Sequence, residues 1–495
     1  LPRNYLLIAA AVLLLTVWNA TGFYQGDEHF QVLEFAAHKV GFVAGADLPW
    51  EFAEQMRPAL QPFLAYVVYQ ALTVFGEVNP FFMAGLLRLF SAVLYLGVAV
   101  ALYRRYAPTF SDATNRKWLA LALLFSWCNV FAGVRFASES WSGAMFVFGL
   151  LAYPLPPVLD KFALSRVSGN GGKSSALWAG VLFGLSFEFR YQMALAVVGF
   201  VAWLLFVGKP NWKYLGLLIV GGLTVVGVGT LIDRWFYNEW VFAPWNYLAQ
   251  NLIEGKAAGF GTKPWYGYIE YIFERGIPPL SLVYLAATGW FCWRYRKDPI
   301  TWSFLFFFVA HSALSRKDIR FMFPMLPFLS VALVVSLRDL KEKYGTELFD
   351  SGWPKRGLVL AIVINVALLV SVCVRSMNDN THAMRYVYDN YSEPVTLFAD
   401  GRHVFSLSHL VIRFYQRRGG VIIIEDENRN WSACETSMCL YSERTNTPDP
   451  PPGGTLVYTN EIAFLGDFDP FGLVSRQPFW YVYELKRKEY DGPAN

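Results

Sequence analysis

Charged side chains are scarce in this sequence. Asp, Glu, Lys and Arg make up 16% of its 495 residues, where a soluble domain carries roughly 25%. So few cannot coat a soluble body of this length, which excludes an ordinary cytosolic enzyme. The 55% hydrophobic content excludes a disordered chain. An excess of positive charge is missing as well. A net charge of +4 with no concentrated basic stripe excludes nucleic acid as a partner. Histidine and cysteine are rare, and neither falls in a ligand-spaced motif, so no zinc site is expected. Internal repeats, a phosphate-cradling glycine loop and a dinucleotide fingerprint are all absent. The sequence calls for no cofactor and leaves a divalent ion open.

What is present is a set of long apolar runs. A membrane-crossing helix needs about 20 mainly apolar residues. Eleven runs read as such helices: 5–21, 60–78, 83–102, 118–134, 141–153, 177–206, 214–232, 278–291, 301–311, 321–337 and 357–374. The run 177–206 is long enough to hold two shorter segments meeting at Glu188 and Arg190. Cytoplasmic loops are enriched in Lys and Arg. Arg294, Arg296 and Lys297 mark one such loop, and Arg338, Lys341, Lys343, Lys355 and Arg356 another. That places the segment after the last run outside. The basic loop 103–117 breaks simple parity from an inside N-terminus.

Charge is unevenly spread. The 120 residues from Ser376 carry 16 acidic and 11 basic side chains, against 22 and 31 in the preceding 375. The expected organisation is a membrane domain, 1–375, with loops 22–57 and 233–275 carrying the chemistry. A small extracytoplasmic α/β domain, 376–495, follows. Val421–Ile424 and Thr455–Val457 read as strands from their β-branched content. Cys434 and Cys439 are placed for a local disulfide outside the cytosol. Cys128, Cys292 and Cys373 read as packing residues.

The few charges of the membrane domain gather in islands. The first follows the first run: Gly26-Asp27-Glu28-His29-Phe30-Gln31, then Glu34, then Pro49-Trp50-Glu51. A carboxylate at a membrane boundary is costly unless solvated or paired, and there it can take a proton from a hydroxyl. The second pairs Phe187-Glu188-Phe189-Arg190-Tyr191-Gln192 with Arg135, Ser138, Glu139 and Ser140. Arg190 is expected either to pair with Glu188 or Glu139, or to contact a phosphate. The third, in the loop 233–268, interleaves aromatics, amides and glycines, with Asn246, Asn251, Gly259, Gly261, Trp265 and Tyr266-Gly267. Flat faces and amides suit a sugar, and an interfacial aromatic belt is the plainer reading. The fourth is His311 to Arg320, where Arg316, Lys317 and Arg320 surround Asp318. It reads either as a topology anchor or as a phosphate clamp.

In this order and spacing, the islands resemble the Alg9-like and GPI mannosyltransferases, glycosyltransferase family 22. The family's acidic pair, Phe/Trp-Gln and downstream Glu are matched by Asp27-Glu28, Phe30-Gln31 and Glu34. Its Thr-Trp-Glu looks like Pro49-Trp50-Glu51, with Pro replacing Thr, and its His-Lys-Glu-x-Arg-Phe looks like Arg316-Lys317-Asp318-Ile319-Arg320-Phe321, with Arg for His and Asp for Glu. Pro324 and Pro327 keep the family's proline spacing. The resemblance covers about Tyr5 to Leu337.

It implies a GT-C fold and an inverting transfer of a mannose-type sugar. The donor is a polyprenyl-phosphate-linked sugar, the acceptor a glycan or glycolipid in contact with membrane lipids. The site lies on the periplasmic or luminal side of a bacterial inner membrane or the endoplasmic reticulum. On that reading Asp27 is the base, with Glu28 its substitute or an acceptor-orienting group. Lys317, Arg320 and Arg190 hold the departing phosphate. Gln31, Glu34, Trp50, Glu51, Asn251, Trp265 and Tyr266 shape the sugar and acceptor pockets. The rival expectations are a polyprenyl-sugar-dependent protein glycosyltransferase or oligosaccharide ligase, a secondary transporter, and a non-catalytic scaffold.

Overall fold

The computed structural model describes residues 1–155, 172–345, 352–392, 394–408, 410–417, 420–425, 438–461 and 478–485. It divides into two compact units. One holds Leu1–Ala20, Glu51–Leu64 and Gly85–Arg375; the other holds Thr21–Trp50, Ala65–Ala84 and Ser376–Asn495. The early loop carrying Asp27 thus belongs with the charged C-terminal segment.

The first unit is helical. Helices stand at all eleven apolar runs, but the expectation of about eleven transmembrane helices is corrected. Among the described residues, five are long and apolar enough to cross a membrane: Pro80–Thr109, Tyr191–Gly208, Trp212–Tyr237, Ile319–Tyr344 and Gly352–Val374. Arg3–Asn19 and Pro299–Ala313 are shorter apolar helices. The reason is interruption. Ser126 is extended between Ala113–Phe125 and Trp127–Gly133. Leu60–Thr73 and Ser138–Ala152 run only 14 and 15 residues. The run 177–206 breaks at Arg190, whose backbone is extended between Lys173–Phe189 and Tyr191–Met193.

Glycines let the helices close up. A Cβ on Gly180 would collide with the Leu218 carbonyl, so Lys173–Phe189 and Trp212–Tyr237 pack backbone to backbone. Such small-residue contacts serve helix pairs in lipid, where no hydrophobic drive distinguishes helix from solvent. Gly143 does the same against Pro324, where a Cβ would lie 2.6 Å from the proline Cα. That contact sets the Ser138–Ala152 helix beside residues 319–325.

In the second unit, a five-stranded sheet runs in the order Val421–Glu425, Val395–Ala399, Met438–Thr445, Phe479–Leu485, Gly454–Thr459. The first three strands are parallel and the rest antiparallel. Val395–Ala399 is buried throughout, as a strand flanked on both sides should be. Phe398, Cys439, Tyr441, Tyr481 and Tyr483 form a core on this sheet. The helix Asn380–Asn390 buries Ala383, Met384 and Val387. Cys439 is disulfide-bonded; Cys434, its expected partner, lies outside the described residues. Cys128, Cys292 and Cys373 are free thiols.

His403 in this unit is 1% exposed. Burial, reinforced by Arg413, pushes its imidazole down to about 4. The Glu425 carboxylate 3.8 Å away is 64% exposed, too well screened to offset this. The folded unit therefore holds His403 neutral, while the unfolded chain binds a proton near pH 6.5. Its stabilisation is complete above pH 6.5 and is lost as pH falls toward 4, by up to about 1.4 kcal/mol per pH unit. Amide-exchange protection of Val395–Ala399 should fall over that window, and less so in His403→Gln. An unchanged pH slope in the variant would assign the loss to other groups.

Candidate active site

The break at Arg190 turns its side chain into a charged cluster wholly within the first unit. Its Nη1 lies 3.0 Å from Glu139 Oε1 and donates to Ser138 Oγ at 3.0 Å. Its Nε donates to Gln192 Oε1 at 2.6 Å. Of the two acids the sequence offered Arg190, the structure selects Glu139. Glu188 instead lies against Gly229, where a Cβ would overlap its carboxylate.

The same Glu139 oxygen is 3.7 Å from Arg320 Nε. Arg320 also pairs with Asp318 Oδ2 at 3.2 Å. Asp318 in turn caps the 3₁₀ helix Ile319–Met325, accepting from the Arg320 backbone N–H. Phe321 lies under both guanidiniums, 5.0 Å from that of Arg190 and 5.4 Å from that of Arg320. Arg190 and Glu139 are buried.

Lys317, next to this cluster in the chain, is 4% exposed. Its Nζ donates to the Lys263 and Leu314 carbonyls at 3.1 and 2.5 Å and lies 5.9 Å from the centre of the buried Tyr268 ring. Among the described residues no carboxylate pairs with it, and burial lowers its pKa below that of a free ammonium. Three cations, Arg190 and Lys317 buried and Arg320 partly buried, thus stand with the two acids Glu139 and Asp318. Charge withdrawn from water in this way favours an anion nearby.

Glu51 is buried and pairs with Arg57 at 3.3 Å. The Arg57 guanidinium lies 5.6 Å from the Tyr247 ring, and its carbonyl accepts from Tyr237 Oη at 2.9 Å. Asn251 donates to the Tyr247 carbonyl one turn back in its own helix. Trp265 and Tyr266 are exposed, 70% and 43%, with their rings edge to face at 5.6 Å.

In the second unit, Asp27 and Glu28 sit on the one-turn helix Gly26–His29, half-buried. Glu28 Oε2 accepts from the Tyr24 N–H at 2.9 Å. Gln31 and Trp50 are half-buried too. Glu34 is fully buried: its Oε1 meets His29 Nε2 at 2.8 Å and accepts from the Arg413 and Phe414 N–H groups at 2.8 and 2.9 Å. His29 is stacked on Phe23 and Tyr415. Glu34 is held as a tether to the C-terminal segment.

Arg57, the cation of Arg57-Pro58-Ala59 six residues after Glu51, carries no role in the sequence pattern, and Tyr268 and His403 leave no signal there. Among the described residues, no three His, Cys, Asp or Glu side chains gather as metal ligands.

A family model described as the Alg9-like mannosyltransferase family matches residues 4–398. The Xenopus laevis GPI alpha-1,2-mannosyltransferase 3 is 28% identical over 326 residues, 64% of this chain and 56% of that protein. The Homo sapiens protein of the same name is 27% identical over 346 residues, 68% of this chain and 58% of that protein. The chain therefore spans less than two thirds of the length of these relatives. Among solved structures, ArnT from Cupriavidus metallidurans in the apo state superposes with a TM-score of 0.52 over 97% of both chains at 13% identity. The same protein bound to undecaprenyl phosphate gives 0.51 over 99% of both at 14%. These likenesses show the fold: a polytopic helical, GT-C-like membrane body with an extramembrane β-sheet unit.

Proposed function

This chain belongs to the Alg9-like mannosyltransferase family, and we propose on that premise that it is an inverting glycosyltransferase. It moves a mannose-type sugar from a polyprenyl-phosphate carrier to a lipid-linked glycan or glycolipid. The observation that carries the reading is the gathering of Arg190 and Lys317, both buried, and the partly buried Arg320 around Glu139 and Asp318. A lipid phosphate brings the missing negative charge. As the anomeric C1–O bond breaks, that charge grows on the departing phosphate, where fixed cations act most strongly.

The acceptor hydroxyl oxygen attacks C1, the C1–O(phosphate) bond breaks with its electron pair leaving on the polyprenyl phosphate, and the hydroxyl proton goes to a carboxylate. Asp27 is the carboxylate we assign, with Glu28 orienting. The phosphate leaves without a proton, so one base suffices, unlike the two carboxylates of a glycosidase. Glu51, Trp50, Gln31, Asn251, Trp265 and Tyr266 are assigned to the sugars. The charged loop 22–57 and the β-sheet unit are assigned to the periplasmic or luminal side.

The direct test supplies labelled polyprenyl-phosphate-mannose and candidate lipid acceptors to the chain in proteoliposomes. Acceptor-dependent release of polyprenyl phosphate with label on the acceptor is expected; none with any mannosylated or other hexosyl donor would refute the reading. Lys317→Ala should raise the donor KM about tenfold, the loss of one charge-assisted hydrogen bond, with acceptor KM unmoved.

A further inference from the structure

The second unit contains a cavity of about 360 Å³ that none of the assigned residues line. It lies between the end of the helix Leu60–Thr73, the start of Pro80–Tyr106, and residues 388 and 414–417. That volume is at the small end of ligand sites. Its walls combine two kinds of group. Tyr69 and Tyr388 supply rings, the first edge-on to Phe42 at 5.6 Å and the second to Phe81 at 5.6 Å. Gln70 and Glu77 stand exposed on one side. Gln416 and Arg417 stand on the other. Gln416 donates an amide N–H to the Ile412 carbonyl at 3.0 Å. Arg417 gives its Nε–H to the Tyr388 carbonyl at 3.0 Å, with its guanidinium 4.5 Å from the centre of the Tyr388 ring.

Each feature narrows the occupant. One acid and one base balance, so the cavity has no net pull on a phosphate, in contrast to the Arg190 cluster. An apolar chain would strip water from Glu77, Gln70 and Arg417 with nothing in return. A neutral polyol satisfies both kinds of wall. Its C–H faces lie on tyrosine rings, and its adjacent hydroxyls meet planar amide, carboxylate and guanidinium groups that bind two at a time. One wall of the cavity adjoins the start of a long apolar helix. Pro80 opens one of the helices long and apolar enough to cross the bilayer. The turn before it holds out Val74 and Phe75, 81% and 88% exposed, an apolar tip suited to the interface.

The geometry points to this cavity as the binding site for the neutral glycan head of a membrane-anchored acceptor, with Phe75 seated in the lipid beside the anchor. The identity of the ligand as an acceptor rests on the transferase reading; the existence of a glycan site does not.

The experiment uses the full chain in nanodiscs and mannobiose as probe, free and on a synthetic lipid anchor, with binding read by saturation-transfer NMR. The double variant Q70A/E77A removes two exposed side chains and should weaken binding about tenfold, as the loss of one to two net hydrogen bonds does. Its acceptor KM should rise by the same factor, with donor KM unchanged. Mannobiose binding that is absent from the wild type, or unaltered in the double variant, overturns the site, as does a shift confined to donor KM. Binding that falls in the variant while the wild type transfers no sugar upholds the site and removes the transferase reading alone. The anchored probe should bind more tightly than the free one, and F75S should erase that advantage. Equal binding of both probes to the wild type assigns the cavity to a soluble glycan and overturns the membrane-anchored assignment.

Discussion

Arg190→Ala is expected to lower kcat for sugar transfer by about 10²–10³-fold, the cost of removing one preorganised donor from a site of developing charge. A second effect will accompany it. Glu139 is buried and 3.0 Å from the guanidinium, and stripping one member from a buried pair costs about 3–5 kcal/mol because the other charge is left uncompensated. A simple activity loss would therefore confound chemistry with folding. The pair E139Q/R190Q separates them. It removes both charges, so it should recover most of the thermal stability lost in Arg190→Ala while transfer stays low. If activity returns with stability, Arg190 is a strut for the helix break and the phosphate assignment falls. Arg190→Lys is a sharper version. It keeps the charge but loses the fork that serves Glu139, Ser138 and Gln192 together, and a point charge cannot reproduce three directed bonds.

The second large effect is expected at Asp27. Asp27→Asn should reduce kcat by about 10²–10⁴-fold, the usual contribution of a general base, with donor KM unchanged. Asparagine keeps the size and a hydrogen-bonding oxygen but takes up no proton. Glu28→Gln should be milder, because Glu28 already accepts from the Tyr24 N–H and so contributes to holding the turn. A larger loss at position 28 than at position 27 would exchange their roles, and wild-type rates in Asp27→Asn would remove it as base.

Much of the architecture could be read from residue order. The alternation of grease and charge located a helix at each of the eleven apolar runs, though not Ala243–Leu248 or Gly267–Arg275. The β-branched run at 421 became the strand Val421–Glu425, and that at 455 became Gly454–Thr459. The crossing count was not readable, because hydropathy sums a window and ignores the backbone within it. Arg190 and Ser126 sit in extended conformations inside apolar stretches, and a window average does not register a single extended residue. The pairing of Arg190 was open for a different reason. Glu188 is two residues away and Glu139 fifty-one, and proximity in sequence favours the wrong acid. The packing of Ser138–Ala152 against Lys173–Phe189 brings the distant acid to Arg190. Glu34 and Asn251 show the limit most clearly. Both are residue types that suit a sugar. One is bound to backbone amides at 413 and 414, the other to a carbonyl four residues away, and neither partner has a side-chain signature.

Glu34 also bears on the order in which the protein is made. Its carboxylate binds His29 and two backbone amides that emerge from the ribosome some 380 residues later. The turn bearing Asp27 is therefore synthesised before the membrane helices that follow it and fastened after them. During translation the helices that follow it can insert while the turn waits. A nascent chain halted between residues 320 and 413 would own Arg190, Lys317 and Arg320 and still lack the tether of the turn. Emergence of residues 413 and 414, rather than insertion of the last apolar helix, would then be the moment at which the residue assigned as base is fixed in place.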